Sequence, residues 1–133
     1  MAAVPRSRIL LLCADEQVRH ITGIILRVLG GHDVLAVSNV LQALTRVETY
    51  RPDLLLLDTA ASRATAPATL ARLGARGPQR PGLPLLFLTC DPRIEELQVL
   101  LALGANDVVL MPFTTAHLLA GVARALVRDP ADA

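Results

Sequence analysis

Aromatic side chains are scarce in this 133-residue chain, which contains no tryptophan, one tyrosine and two phenylalanines. Single-stranded nucleic acid is commonly held by stacking its bases on aromatic rings, and little such surface is available here. The charge balance is also unsuited to nucleic acid, because 13 basic and 12 acidic side chains give a net charge of only +1. We therefore expect no nucleic-acid binding by this chain.

Cysteine and histidine are too few and too scattered for a disulfide framework or a metal centre. The two cysteines, Cys13 and Cys90, lack metal-ligand spacing, and the three histidines are far apart in the sequence. Cys13 ends one predicted strand and Cys90 follows another, and a third strand is expected between them, which puts the cysteines roughly two spacings of ~4.8 Å apart. Because a disulfide needs Cα atoms within ~7 Å, we expect two buried, inert thiols.

Long apolar runs are also missing from the sequence, and we expect no secretory leader at its start. No stretch reaches the ~18 apolar residues that would cross a membrane, and the first residues contain no signal-peptide cleavage region. Hydrophobic residues still make up 53% of the composition, enough for one domain over residues 1–133 with its core at about 8–128 and a frayed tail at 129–133. We expect a cytoplasmic protein without membrane contact.

What the sequence does contain is a regular alternation of short apolar strands and helices. Strands are predicted at 9–13, 33–37, 53–58, 85–89 and 107–111. Helices are predicted over 16–29, from the N-cap Asn39 to residue 50, within 66–75, over 92–103, and from Thr114 or Thr115 to about 128. This alternation predicts an α/β, flavodoxin-like (βα)5 three-layer sandwich. Its parallel five-stranded sheet has the strand order 2-1-3-4-5.

In such folds the functional crevice lies at the carboxyl ends of the strands. Asp58 is the strongest candidate for that crevice because it ends the most apolar strand, although an aspartate there can also merely cap the next turn. Thr89 offers a hydroxyl at the end of the fourth strand, or caps the turn that follows. The residues that the topology collects at this edge are Cys13, Ala14, Asp15, Asp58, Thr89 and Met111.

Three segments resemble the receiver domain of bacterial two-component response regulators. Residues 51–58 read RPDLLLLD and resemble RPDLVLLD, residues 85–90 read LLFLTC and resemble PVIFLTA, and residues 104–113 read GANDVVLMPF where the family usually has GAxDYLxKPF. The resemblance implies that Asp58 is the phosphoacceptor position and Thr89 the switch hydroxyl. It also implies that Met111 replaces the lysine that neutralises the phosphoryl group.

The resemblance also implies a Mg²⁺ site, because receivers hold this cation with acidic residues after the first strand. The family reads roughly ILIVDDE there, whereas residues 9–16 read ILLLCADE. A match without gaps puts Cys13 and Ala14 at the acidic pair, so Mg²⁺ binding is expected to be weak or absent. A slip of one residue would let Asp15, with Glu16 and Asp58, hold the ion. Alternatively, Asp15 is only the N-cap of the helix.

Other positions also depart from the family pattern, although the predicted strands and helices are those of the family. Val108 replaces an aromatic residue near the fifth strand, and Ser62 and Ala66 replace the proline and glycine of the loop after Asp58. The leading interpretation is a degenerate pseudo-receiver that signals through protein contacts and is no enzyme beyond, at most, self-catalysed phosphoryl transfer to Asp58. The alternatives are a competent phospho-receiver and a flavodoxin-like small-ligand binder, although residues 13–17 contain no glycine-rich phosphate loop.

The expected partners are a sensor histidine kinase or another signalling protein. The predicted helix at 92–103 carries more apolar residues than one buried face needs, since Val99, Leu100 and Leu103 are left over. The last helix needs Leu118, Val122 and Leu126 inside, with Leu119 and Val127 to spare. A homodimer or partner contact is therefore predicted at the face formed by these two helices and the fifth strand.

Overall fold

The computed structural model describes residues 6–58, 83–89 and 107–126. The strands are β1 (Arg8–Leu12), β2 (Asp33–Val37), β3 (Leu54–Asp58), β4 (Leu85–Thr89) and β5 (Asp107–Leu110). The described helices are α1 (Glu16–Ile24), which continues as a π-helical turn (Ile25–Leu29), α2 (Val40–Tyr50) and α3 (Thr115–Leu126). The helices predicted within 66–75 and over 92–103, the tail at 129–133, and the residues Cys90, Ser62 and Ala66 lie outside the described residues.

All neighbouring strands pair in parallel, in the order β2-β1-β3-β4-β5. This confirms the predicted flavodoxin-like topology. Alternate residues of each central strand face opposite sides of the sheet, so Ile9 and Leu11 pack in one core layer while Leu10 and Leu12 pack in the other. Because both faces are covered, β3 is buried along its whole length, which explains its unbroken leucine run.

The helix ends follow the signals in the sequence. The side chain of Asn39 accepts a hydrogen bond from the N–H of Gln42 at 2.9 Å and begins α2, as predicted. At the end of the π-helical turn, Gly31 adopts a positive φ of 71°. This conformation lets the N–H of His32 donate to the carbonyl of Leu26 at 3.0 Å. The predicted stop at Gly30-Gly31 is therefore confirmed.

The buried face of α1 and its π-helical turn differs from the apolar pattern in the sequence. The wholly buried positions are Thr22, Gly23 and Leu26, whereas Ile21 is 55% exposed and Val28 is 72% exposed. The offset begins before the π-helical turn, since Thr22 and not Ile21 is buried within α1, and the wider spacing of the turn changes the 3.6-residue period only from Ile25 onwards. In α3, by contrast, Leu118 and Val122 are fully buried as predicted.

The outer edge of β2 is partly covered by a side chain from the π-helical turn. Arg27 donates from Nη2 to the carbonyl oxygen of Val34 at 3.1 Å. A charged side chain on an edge strand discourages strand addition by another chain.

Within the described ranges, no helix is long and apolar enough to cross a membrane.

Candidate functional site

The strand ends place two polar side chains in the buried carboxyl edge of the sheet. Asp58 is the last residue of β3 and only 4% exposed, and Thr89 is the last residue of β4 and fully buried. Parallel pairing of β3 with β4 aligns Asp58 with Leu88, one residue before Thr89. The two side chains predicted to form the crevice are therefore brought to neighbouring strand ends.

Cys13 contributes a thiol to the same edge. Its Sγ lies 3.7 Å from Oδ2 of Asp58 and 3.6 Å from the carbonyl oxygen of Asp15, and it donates to these acceptors. Burial raises the pKa of the thiol to about 11, and the negative charge of Asp58 adds to the rise. The thiol is therefore protonated and uncharged at neutral pH. Cys13 is buried and free, as predicted.

Asp15 stands at the beginning of α1 and is exposed. Its Oδ1 accepts a hydrogen bond from the N–H of Val18 at 2.9 Å, which makes it the N-cap of the helix. The loop before it is tied down by Arg19, whose Nη1 donates to the carbonyl oxygens of Cys13 at 3.0 Å and of Ala14 at 3.4 Å. In this structure Asp15 therefore occupies the N-cap position of α1, which was the alternative to its expected role as a metal ligand.

The donor atoms at this edge fit Mg²⁺ poorly. Mg²⁺ requires oxygen ligands in octahedral arrangement, usually with one or two carboxylates. Here one neighbour of the Asp58 carboxylate is a protonated thiol, and the Asp15 carboxylate is engaged at the helix N-terminus. Among residues 6–58, 83–89 and 107–126, no three His, Cys, Asp or Glu side chains form a group that could hold a metal ion.

Met111 joins the strand-end site to the face of α1. Its N–H donates to the carbonyl oxygen of Thr89 at 2.7 Å, and the peptide bond to Pro112 is cis. The half-buried Met111 side chain packs against the core cluster that contains Cys13 and Ile9, in line with its expected role as a filler of the loop packing.

A groove of about 410 Å³ separates this loop from α1. The residues that line the groove are Val18, Ile21, Thr22, Met111, Pro112 and Phe113. The sequence did not predict this groove, because residues about 90 positions apart form its two walls. The only signal in the sequence was an excess of apolar residues in α1, and such residues are equally expected in a hydrophobic core.

Residues 9–123 match the family model described as the response regulator receiver domain. The chain is 32% identical over 124 residues to the DNA-binding response regulator MtrA of Mycolicibacterium paratuberculosis, covering 93% of this chain and 53% of the relative. The MtrA of Mycobacterium leprae matches equally well. The chain therefore spans about half the length of these curated relatives.

Solved structures give the same result for the fold. A putative response regulator from Chloroflexus aurantiacus superposes with a TM-score of 0.83 at 25% identity, over 93% of this chain and all of that one. The chemotaxis protein CheY4 of Vibrio cholerae superposes with a TM-score of 0.82 at 22% identity, over 92% of this chain and all of that chain. The second similarity bears on the fold alone.

Proposed function

This chain belongs to the response regulator receiver domain family of two-component signalling, and we propose that it is a pseudo-receiver with a degenerate phosphorylation site that acts through protein contacts. The observation that carries the proposal is the 3.7 Å contact between the Cys13 thiol and the Asp58 carboxylate. Receivers keep acidic metal ligands beside the phosphoacceptor. A neutral thiol in that place cannot supply the hard anionic oxygen that Mg²⁺ prefers.

The loss of the family lysine points the same way. Met111 carries no charge and donates no side-chain hydrogen bond. The sequence contains no lysine at any position, and all 13 basic residues are arginines, so no other lysine of this chain can take the role. Removing a preorganised cation from a sheltered site typically costs about 3 kcal/mol of transition-state stabilisation. Phosphoryl uptake by Asp58 is therefore expected to be slow even where a donor is present.

Protein contact is the remaining way for such a module to signal, and the exposed surface supports it. Ile21, Ile24 and Val28 follow one another at helical spacing and are all exposed. Apolar surface in a continuous stripe is typical of a protein interface. We propose a sensor histidine kinase or another cytoplasmic signalling protein as the partner. The face formed by the predicted helix at 92–103, β5 and α3 remains a second proposed contact, which could also form a homodimer.

The relatives named as DNA-binding regulators are about twice as long as this chain. DNA binding is not proposed for the domain itself, because its net charge is only +1 and its aromatic residues are few. A flavodoxin-like small-ligand binder that uses the strand-end crevice is also not proposed, since the chain belongs to the receiver family.

The alternative proposal is a competent phospho-receiver, and the buried carboxylate and hydroxyl at the ends of β3 and β4 favour it. In that case Asp58 accepts the phosphoryl group and Thr89 bonds it. Asp58 would then hold Mg²⁺ together with Asp15 and Glu16, and Asp15 would have to give up its N-cap bond from Val18.

The two proposals differ in their response to Mg²⁺ with beryllofluoride, a mimic of the aspartyl phosphate. Amide NMR spectra of the pseudo-receiver should show no saturable shift at Asp58, Thr89 or Met111 at millimolar Mg²⁺. The Asp58→Ala variant is the matched control. Saturable shifts that this control abolishes would refute the pseudo-receiver and establish the competent phospho-receiver.

A further inference from the structure

The groove between α1 and the loop after β5 has the composition of a small-molecule site. Five of its six lining residues are apolar, and the sixth is Thr22. Its volume of about 410 Å³ lies within the range of roughly 300–1,000 Å³ that is usual for ligand pockets. Met111 contributes to this character, because it adds a flexible, uncharged and apolar side chain to the wall.

Thr22 carries an unsatisfied hydrogen-bonding group at this wall. The residue is fully buried, and its Oγ1 has no hydrogen-bond partner. A threonine within a helix usually satisfies its hydroxyl by bonding to a carbonyl one turn earlier. Buried polar atoms without partners are rare in native proteins, and each one calls for an explanation such as a missing ligand or solvent molecule.

We propose that this groove binds a small, mainly apolar organic compound with one hydrogen-bonding oxygen, which pairs with the hydroxyl of Thr22. The volume admits a compact aromatic or branched compound of roughly eight to fifteen non-hydrogen atoms. Because the Thr22 oxygen is covered at present, side chains of the groove wall must shift to admit the compound, and we expect Met111 to be the one that moves. Methionine has three rotatable side-chain bonds and adapts readily to such changes.

A small compound explains the features of the groove better than a protein partner does. The exposed stripe of Ile21, Ile24 and Val28 suits a protein surface, but only Ile21 also lines the groove, whereas Ile24 and Val28 lie outside it. The single buried hydroxyl sits instead at the groove wall, where one polar atom of a ligand fixes its orientation. The bound compound would also touch the loop whose Met111 N–H is bonded to Thr89.

A matched pair of probes tests both the groove and the hydroxyl. Para-cresol and para-xylene have the same shape and differ by one oxygen for one methyl group. The sequence holds only two methionines, so selective methyl labelling yields a Met111 signal with Met1 as the internal reference. We expect saturable shifts of the Met111 methyl with both probes. Para-cresol should bind about threefold to tenfold more tightly than para-xylene, the gain expected for one hydrogen bond.

The variant Thr22→Val keeps the shape of the side chain and removes its hydroxyl. It should abolish the preference for para-cresol while binding para-xylene at least as well as the original chain does. Ile21→Glu should weaken both probes by placing a charge at the groove wall. Leu41→Glu is its matched control, because Leu41 is 74% exposed and belongs to α2, and it should change neither affinity.

Two outcomes would overturn the proposal. The first is a linear, non-saturating shift of Met111 with both probes at millimolar concentration, which would leave the groove as part of a protein contact. The second is an unchanged preference for para-cresol in the Thr22→Val variant, which would show that the hydroxyl does not take part. Neither result depends on whether Asp58 is phosphorylated, so the proposed function is tested separately.

Discussion

A second carboxylate in place of the Cys13 thiol should make the stability of this protein depend on Mg²⁺. In the Cys13→Asp variant, two buried carboxylates would lie close to the 3.7 Å that now separates Sγ from Oδ2 of Asp58. At that distance and an effective dielectric constant of ~20, two unit charges repel by about 4 kcal/mol. Such a cost is a large share of the free energy of unfolding of a small domain, which is roughly 5–15 kcal/mol.

Mg²⁺ should restore much of that loss, because two carboxylates provide the oxygen ligands that the cation requires. A ligand at 100 times its Kd stabilises the folded state by about 2.7 kcal/mol. Urea unfolding with and without Mg²⁺ measures both effects. We expect Cys13→Asp to be strongly destabilised in the absence of Mg²⁺ and to regain about 2 to 3 kcal/mol at saturating Mg²⁺. The original chain should not respond.

Cys13→Asn is the control that separates charge from size, because it has nearly the shape of aspartate and no charge. It should show no Mg²⁺-dependent stability. The reasoning would be refuted if Cys13→Asp without Mg²⁺ were as stable as Cys13→Asn. It would also be refuted if Mg²⁺ stabilised both variants equally, since the carboxylate at position 13 would then add nothing to metal binding.

Three further predictions concern stability. Thr22→Val should raise the free energy of unfolding by about 1 kcal/mol in thermal or urea unfolding, because a buried hydroxyl without a partner is removed; a loss of stability would mean that the hydroxyl is satisfied in solution. Asp15→Ala should cost about 1 kcal/mol through loss of the N-cap, whereas Asp15→Asn should cost little; equal losses would contradict the cap. Burial lowers the pKa of His32 below its ordinary 6.5, and Nδ1 of this residue accepts a hydrogen bond from the N–H of Ser7. The free energy of unfolding should therefore be highest above pH 6.5 and fall as the pH drops towards the folded-state pKa, because in that range the unfolded state takes up the proton more readily than the folded state. Urea unfolding midpoints of His32→Gln should lose this part of the pH dependence.

The sheet could be predicted from the sequence because its strands are buried on both faces. β2 and β4 have the predicted bounds, β3 and β5 are one residue shorter at one end, and β1 is shifted by one residue towards the N-terminus. Continuous apolar runs of about five residues are typical of strands that are buried on both faces of a parallel sheet. Because crossovers between parallel strands are right-handed, only a few strand orders are then possible. The start of α2 could be predicted equally well, because Asn39 caps the helix through a hydrogen bond to a residue only three positions away.

The contacts across the site could not be predicted in the same way. The match to the family placed Cys13 near the crevice. The distance from its thiol to Asp58, however, depends on the conformation of the loop after β1. Arg19 holds that loop through hydrogen bonds to two backbone carbonyls. The buried face of α1 could not be recognised because Thr22 and Gly23 occupy it while Ile21 and Ile24 are exposed, and the π-helical turn then changes the period of the residues that follow. The groove at Thr22 depends in turn on that face.

The two departures at the proposed phosphorylation site are best understood together. A pocket with several carboxylates at the strand ends would be unstable without cations, since a buried charge must be paired. Replacing only the lysine by Met111 would leave such a pocket with excess negative charge. Replacing an acidic position by the Cys13 thiol, whose pKa is raised to about 11, removes a charge of the opposite sign and adds a donor to Asp58. Each change lowers the cost of the other, so the proposed loss of both the metal site and the lysine is compatible with a buried carboxylate and an intact fold.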